Sequence, residues 1–223
     1  MKPTKEYNGR SRIRMFNMCC ESYMNLCKEN RYDLAIVDPP YGIGESSNNF
    51  ASRGKLASAD KYVSKDWDDK KPTDDYFNNL FNVSKNQIVW GGNHLVAKTT
   101  PCMIVWDKDN GDNDFADCEL AWTSFKTAVR KVKIRWNGML QHDMKNKQNR
   151  IHPTEKPIKL YKWLLTNYAK EGDTILDTHG GSMSIAIACW DLGFDLDVCE
   201  LDTDYFNDAV KRFEEHISQA QLF

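Results

Sequence analysis

The stretch DTILDTHGGSMSIAIACWDLGFDLDVCE, Asp173 to Glu200, settles the architecture. It opens on an apolar strand, turns at two glycines, runs as an apolar helix to Gly193 and ends on a second strand. Upstream, Ile158, Tyr161, Leu164, Leu165 and Tyr168 form a helical stripe that predicts a helix over Ile158–Ala169. Thr154 reads as its N-cap, with Pro157 inside the first turn, where proline is tolerated. Downstream, DTDYFNDAVKRFEEHI predicts a helix capped by Asp202. The order helix, strand, helix, strand, helix predicts an α/β chain: a doubly wound, mostly parallel sheet with helices on both faces. Ligands in such sheets bind beyond the carboxyl ends of the strands.

Asp177 stands at such an end. Behind it, Gly180 and Gly181 let backbone approach a ligand, and the helix start offers free N–H groups. Glu200 ends the next strand 23 residues later. A carboxylate at that spacing commonly accepts hydrogen bonds from ribose hydroxyls, so this half reads as a nucleoside-cofactor site. The loop is not G-x-G-x-x-G and lacks the Gly-Lys-Ser/Thr of a phosphate loop. A tight strand–helix turn without a ligand is the alternative.

A second strand end lies near the N-terminus, in DLAIVDPPYGIG, Asp33 to Gly44. YDLAIV is a continuous apolar run and predicts a buried strand. Two prolines then fix the backbone, and Pro40 has no N–H to donate. The Asp38 carboxylate and the Pro39 carbonyl are adjacent acceptors, suited to an N–H₂ group. Two aligned acceptors favour a pyramidal nitrogen and free its lone pair for attack. Tyr41 offers a face for a planar base.

Between these halves the chain predicts strands in RIRMFNM, QIVWGG, PCMIVWDK, ELAWTSF and AVRKVKIRW, with CCESYMNLCKEN and Asp74–Ser84 as helices. NGMLQHDMKNKQNR is polar and basic and reads as a loop. Glu45–Lys71 is rich in Ser, Asn, Asp, Lys and Gly and reads as a long mobile loop.

With 223 residues, 41% of them hydrophobic and 28% charged, the chain fits one soluble domain with a real core. No apolar run is long enough for a bilayer, and no signal peptide is visible. Seven cysteines without a C-x-x-C pair predict reduced thiols in a cytosol. Five histidines without H-x-x-x-H spacing predict no metal site. DKDNGDNDFADCE misses the calcium-loop template at Gly111 and Glu119 and reads as an acidic surface loop. The tryptophans read as core, with Trp136 as an exception in a basic stretch. Net charge is −2, yet Lys126–Lys162 holds eleven Lys/Arg against Asp143 and Glu155, an excess of +9 that leaves −11 elsewhere. That asymmetry predicts a polyanion footprint.

Taken in order, DPPY, then HPTEKP, then the glycine loop, then the acidic strand end resemble the amino-group DNA methyltransferases. The order is the permuted, beta-type one, in which DPPY precedes the cofactor half. QIVWGGNHL, MIVWDK, ELAWTSF and RIHPTEKPIKLYKWLL are similar to segments of small bacterial and bacteriophage members. The resemblance runs from about Arg12 to Phe213, within a single methyltransferase domain spanning 1–223. It implies a Rossmann-like fold with one antiparallel hairpin, and S-adenosylmethionine as methyl donor. The implied activity is transfer to adenine N6 of a flipped-out base in double-stranded DNA, as in restriction–modification. Asp in first place favours adenine. Cytosine N4, RNA, or an inactive DNA-binding remnant are the alternatives.

The resemblance also assigns residues. Asp38, Pro39, Pro40 and Tyr41 would be catalytic. Asp38 would also border the cofactor, with His152, Pro153, Thr154 and Lys156 from the HPTEKP segment. Asp177, Thr178, His179, Gly180, Gly181 and Ser182 would take its methionine end. Glu200 would take its ribose, with Leu201 beside it. The family loop usually reads Asp-Pro-Phe-x-Gly-Ser-Gly, whereas Thr178, His179 and Met183 stand here at the Pro, Phe and last Gly. Met18 stands near a position where members often carry Asp. The basic segment 126–150 and the loop 45–71 are the expected DNA contacts. The resemblance further implies a homodimer and a bacterial or phage-infected cytoplasm.

Overall fold

The computed structural model describes residues 1–42, 71–96, 98–110, 116–137, 140–145, 147–148, 150–152 and 154–220. The predicted mobile loop lies outside these residues, Lys71 apart, and so does Pro153.

The first strands are β1 (Lys5–Asn8), β2 (Arg12–Asn17) and β3 (Tyr32–Val37), with α1 (Cys20–Met24) between the last two. Helix α2 (Asp74–Val83) leads directly into β4 (Ser84–Trp90), and α3 (Gly92–Leu95) follows. Then come β5 (Met103–Asp107), β6 (Cys118–Thr123), β7 (Arg130–Lys133) and a small hairpin, β8 (Trp136–Asn137) with β9 (Leu140–Gln141). The last part is α4 (Ile158–Tyr168), β10 (Thr174–Asp177), α5 (Ser184–Leu192), β11 (Asp195–Glu200) and α6 (Thr203–Ala220).

Nine strands form one sheet in the order β1-β2-β11-β10-β3-β4-β6-β5-β7. The run from β2 to β4 is parallel throughout, and β6 lies antiparallel to both β4 and β5. β1 adds an antiparallel edge that its polar sequence, KEYN, does not announce. It is held by pairing with β2 rather than by burial. Likewise β8 and β9 form where a loop was expected.

Alternate residues of the central strands feed two cores. Ile13, Leu34, Ile36, Ile175 and Val198 pack with α4, α5 and α6 on one face. Ala35, Val37, Val89, Leu176 and Cys199 pack with α1 and α2 on the other. Both faces are therefore covered, as continuous apolar strands require.

Caps fix the helices that frame the crevice. Thr73 caps α2, its hydroxyl accepting from the Tyr76 N–H at 3.2 Å. Asp202 caps α6 by accepting from the N–H groups of Asp204 and Tyr205 at 2.9 and 3.0 Å. The α4 expectation needs correction. Its N-cap is Pro157, extended at ψ 145°, while the Thr154 hydroxyl and N–H both meet His152 Nδ1.

The connection from β10 through α5 leads to β11 on one side. The connection from β3 through α2 leads to β4 on the other. Because β3 and β10 are neighbours, the winding direction reverses between them. That is where an α/β sheet opens a crevice. Leu176 pairs with Ala35, so Asp177 and Asp38 follow one and three residues beyond the same rung.

Candidate active site

The DPPY corner begins where β3 leaves the sheet. Asp38 is partly exposed and Pro39 is buried. The Tyr41 hydroxyl donates to Asp38 Oδ1 at 2.6 Å. The Tyr41 ring lies against Gly91, where an added Cβ would collide with it, and Gly91 itself sits at φ +65°. The His94 ring also stacks with Tyr41, at a centroid distance of 6.0 Å.

Lys156 closes the corner. Its side chain is 3% exposed, its ammonium donates to Asp38 Oδ2, and it reaches Glu119 Oε2 at 3.3 Å. Lys108 pairs with the same Glu119. Burial disfavours the Lys156 charge, but the Asp38 and Glu119 carboxylates outweigh it and raise its pKa above the ordinary lysine value. For Glu119, burial is likewise outweighed, here by Lys156 and Lys108, and its pKa is lowered. Sequence reasoning placed Lys156 on the cofactor side and Glu119 at the end of an acidic surface loop. Lys156 does line the shared cavity, but its ammonium is engaged by these two carboxylates.

The glycine loop supplies the opposite wall. Asp177 is 1% exposed, and its Oδ1 accepts the His179 N–H at 2.9 Å. Burial pushes its pKa up to about 8, with the Asp38 and Glu200 carboxylates adding to the rise. Thr178 Oγ1 sits between Tyr76 Oη at 2.7 Å and His179 Nδ1 at 2.9 Å. Burial lowers the His179 pKa to about 4 and keeps the ring neutral. A Cβ on Gly180 would lie 2.7 Å from Val198 Cγ2, so the turn can pass only as glycine. Gly181 donates its N–H to Glu200 Oε2 at 2.7 Å, and Asp202 donates to Oε1 at 2.8 Å.

Met183 stands where the family loop usually has its last Gly. Its side chain is fully buried in the core, so its bulk does not enter the cavity. The departure from glycine instead leaves a non-glycine residue at φ 52° before α5.

Both walls open on one cavity of about 620 Å³, a size suited to a small ligand. Asp38, Pro40 and Lys156 line one side, Thr178 to Ser182 another. His152, Thr154, Glu200 and Leu201 complete the predicted residues that reach it, while Asp177 lies behind the loop. Met18, Cys19 and Cys20 form a rim. Four carboxylates line the cavity, Asp38, Glu155, Glu200 and Asp202, and they fit a cationic nucleoside of the kind the resemblance implies.

The comparisons with known proteins agree. A family model described as DNA methylase matches residues 103–211. The chain resembles the amino-group DNA methyltransferases. The Type II methyltransferase M2.DpnII of Streptococcus pneumoniae is 23% identical over 257 residues, covering 95% of this chain and 93% of that protein. Solved structures share the fold. The M1.HpyAVI–SAM complex gives a TM-score of 0.53 at 19% identity, over 90% of this chain and 99% of that one. TTHA0409 of Thermus thermophilus, a putative DNA modification methylase complexed with S-adenosyl-L-methionine, gives 0.55 at 15%, over 91% and 93%. The cytosine-N4-specific PvuII DNA methyltransferase gives 0.58 at 13%, over 97% and 92%.

Within this DNA-methyltransferase-like chain, the basic footprint is smaller than its linear count. Lys131 pairs with Asp107, Lys133 and Arg135 with Asp109, and Lys162 with Asp191. Carboxylates distant in sequence fold onto the stretch. Trp136 is core after all: it is buried, and its Nε1 donates to the Glu155 carbonyl at 2.7 Å. Sequence reasoning also passed over Arg212 of α6, which donates to the Ser182 carbonyl at 2.9 Å and pairs with buried Glu155 at 3.2 Å. No spacing links positions 155, 182 and 212, so only the fold reveals this brace.

Proposed function

We propose that this chain transfers a methyl group from S-adenosylmethionine to adenine N6 in DNA. One observation carries the reading. The amine-gripping corner at Asp38 and the glycine loop at Asp177 end neighbouring parallel strands and open on the same cavity.

The residues divide the work. Gly180, Gly181 and Ser182 would border the methionine end of the cofactor, with Asp177 behind them, and Glu200 its ribose. The bound cofactor supplies a methyl group already activated on a sulfonium, so no strong base is required. Asp38 and the Pro39 carbonyl would accept the two N–H bonds of the target amine and aim its lone pair. Tyr41 would hold the base plane against its ring. A methylated aromatic ammonium is strongly acidic, so an ion-paired Asp38 carboxylate is basic enough to accept the proton released. Positioning then supplies most of the rate. Because the base must leave the duplex to reach this corner, base flipping is part of the reading. A homodimer is part of it too, since only a short segment before HPTEKP is available for sequence recognition.

The test is tritiated-methyl transfer to unmethylated genomic DNA, wild type beside Asp38→Ala, with the labelled base identified by mass spectrometry. Label on N6-methyladenine, absent in the variant, is the expected result. Label on N4-methylcytosine would keep the mechanism and replace the base. Label on RNA alone would replace the substrate. DNA binding without label and without cofactor binding would leave a non-catalytic remnant.

A further inference from the structure

We propose that Lys156 is the positioning residue of the amine grip: clamped between Asp38 and Glu119, it holds the Asp38 carboxylate fixed in plane. The inference rests on the methyl-transfer reading above.

The geometry is specific. Asp38 has a donor on each oxygen, Tyr41 on Oδ1 and Lys156 on Oδ2. Each carboxylate oxygen offers two lone pairs, so one remains on each for the incoming amine. A protonated Asp38 would present an O–H toward the amine and lose that arrangement. The ammonium itself has little freedom. It lies 5.3 Å from the Trp90 ring centroid and 6.0 Å from that of Tyr41, and Glu119 of β6 holds it from behind. Lys108, just past β5, pairs with Glu119 in turn. A chain of alternating charges thus ties the β5–β6 hairpin to the reacting corner.

The charged groups acting on this corner come from several elements. Lys156 precedes α4, Glu119 lies on β6, Lys108 follows β5, and Asp177 ends β10; Tyr41 and Tyr161 add hydroxyls. Among the described residues, Lys156 is the cation that touches Asp38 directly. Losing it would remove the donor on Oδ2 and leave the carboxylate free to turn out of the plane that the amine needs.

The experiment compares wild type, Lys156→Met, Lys156→Arg and Glu119→Gln. It reads kcat and KM for DNA methylation, and cofactor Kd by calorimetry. In Lys156→Met, kcat at pH 7 should fall about 100-fold. KM and cofactor Kd should each change less than threefold. Lys156→Arg, which keeps a donor for Oδ2, should return part of kcat, and Glu119→Gln, the milder change, should lower it about tenfold. An unchanged kcat in both Lys156→Met and Glu119→Gln overturns the proposal, even if both are less stable. So does a loss confined to cofactor Kd, which would make Lys156 a cofactor contact. If Lys156→Met does not fold, Glu119→Gln decides alone. A wild type that methylates no DNA overturns the functional reading and this inference together; an active wild type with unmoved variants overturns this inference only.

Discussion

The charge on Asp38 helps to keep Asp177 protonated: the two carboxylates end neighbouring strands, and the second, buried, has its pKa pushed up to about 8. The sign of the consequence follows from linkage. A folded-state pKa above the ordinary carboxylate value gives stability that is present at low pH and lost as pH rises through about 8. The ligand-free protein should therefore lose thermal stability between about pH 4 and pH 8, with no further loss from this group above that. Asp177→Asn should flatten that loss and exceed wild type in Tm at pH 9. A cationic cofactor prefers the carboxylate, so its affinity should rise with pH by up to about tenfold per unit below pH 8. Calorimetry at pH 7 in buffers of different ionisation enthalpy should show proton release on binding, absent in the variant. Equal Tm profiles for the two proteins would reject the assignment.

Gly91 is where the Tyr41 ring is most exposed to a one-atom change. A Cβ there meets the Tyr41 ring, and φ +65° is costly for any other residue. Gly91→Ala should cost about 1–2 kcal/mol from the backbone alone. It should also turn Tyr41 away from Asp38. Methyl-transfer kcat/KM is expected to fall at least tenfold, with cofactor Kd unchanged, because Gly91 is remote from the glycine loop. A crystal structure of the variant with Tyr41 still bonded to Asp38 would sink the argument.

Met183 sets two effects against each other. Its φ of 52° is relieved by glycine, a gain of about 1–2 kcal/mol. Its fully buried side chain, once removed, leaves a cavity costing about 2–5 kcal/mol. The cavity outweighs the relief, so Met183→Gly should destabilise by about 1–3 kcal/mol in urea unfolding. Cofactor affinity should change little, since the side chain points into the core. A variant more stable than wild type would show that the strain outweighs the packing.

Much of this was legible in the chain, for identifiable reasons. Strands β3, β10 and β11 carry their own burial in continuous apolar runs, and the carboxylates at their ends follow directly. Asp38 and Asp177 could thus be placed before any contact was known. Illegible were the features made by pairing across the fold. β1 is polar and exists through its neighbour. Glu119 looks like part of an acidic loop, yet it turns toward Lys156. The +9 excess of Lys126–Lys162 shrinks because Asp107, Asp109 and Asp191 fold onto it. Lys156 was assigned by its segment, and its pairing with a carboxylate 118 residues away had no signal in the chain.

The Arg212 brace gives the last prediction. Arg212 joins three elements: it donates to the Ser182 carbonyl and to Ser184 Oγ at 2.9 and 3.0 Å, and lies 3.2 Å from Glu155. The Glu155 side chain is 0% exposed, and burial raises its pKa against the pull of Arg212. Arg212→Met strands that carboxylate and should cost about 3–5 kcal/mol. Glu155→Gln alone should cost less, because a neutral amide needs no counter-ion. In the double variant Arg212→Met with Glu155→Gln, much of the stability should return, giving a coupling of about 1–3 kcal/mol in the mutant cycle. Cofactor affinity should stay weakened in both Arg212 variants, since neither restores the bond to Ser182. Stability that returns without affinity is the signature of a residue that both neutralises Glu155 and shapes the glycine loop. Additive stabilities would mean that the ion pair does not couple, and full recovery of affinity would mean that the loop holds its form unaided.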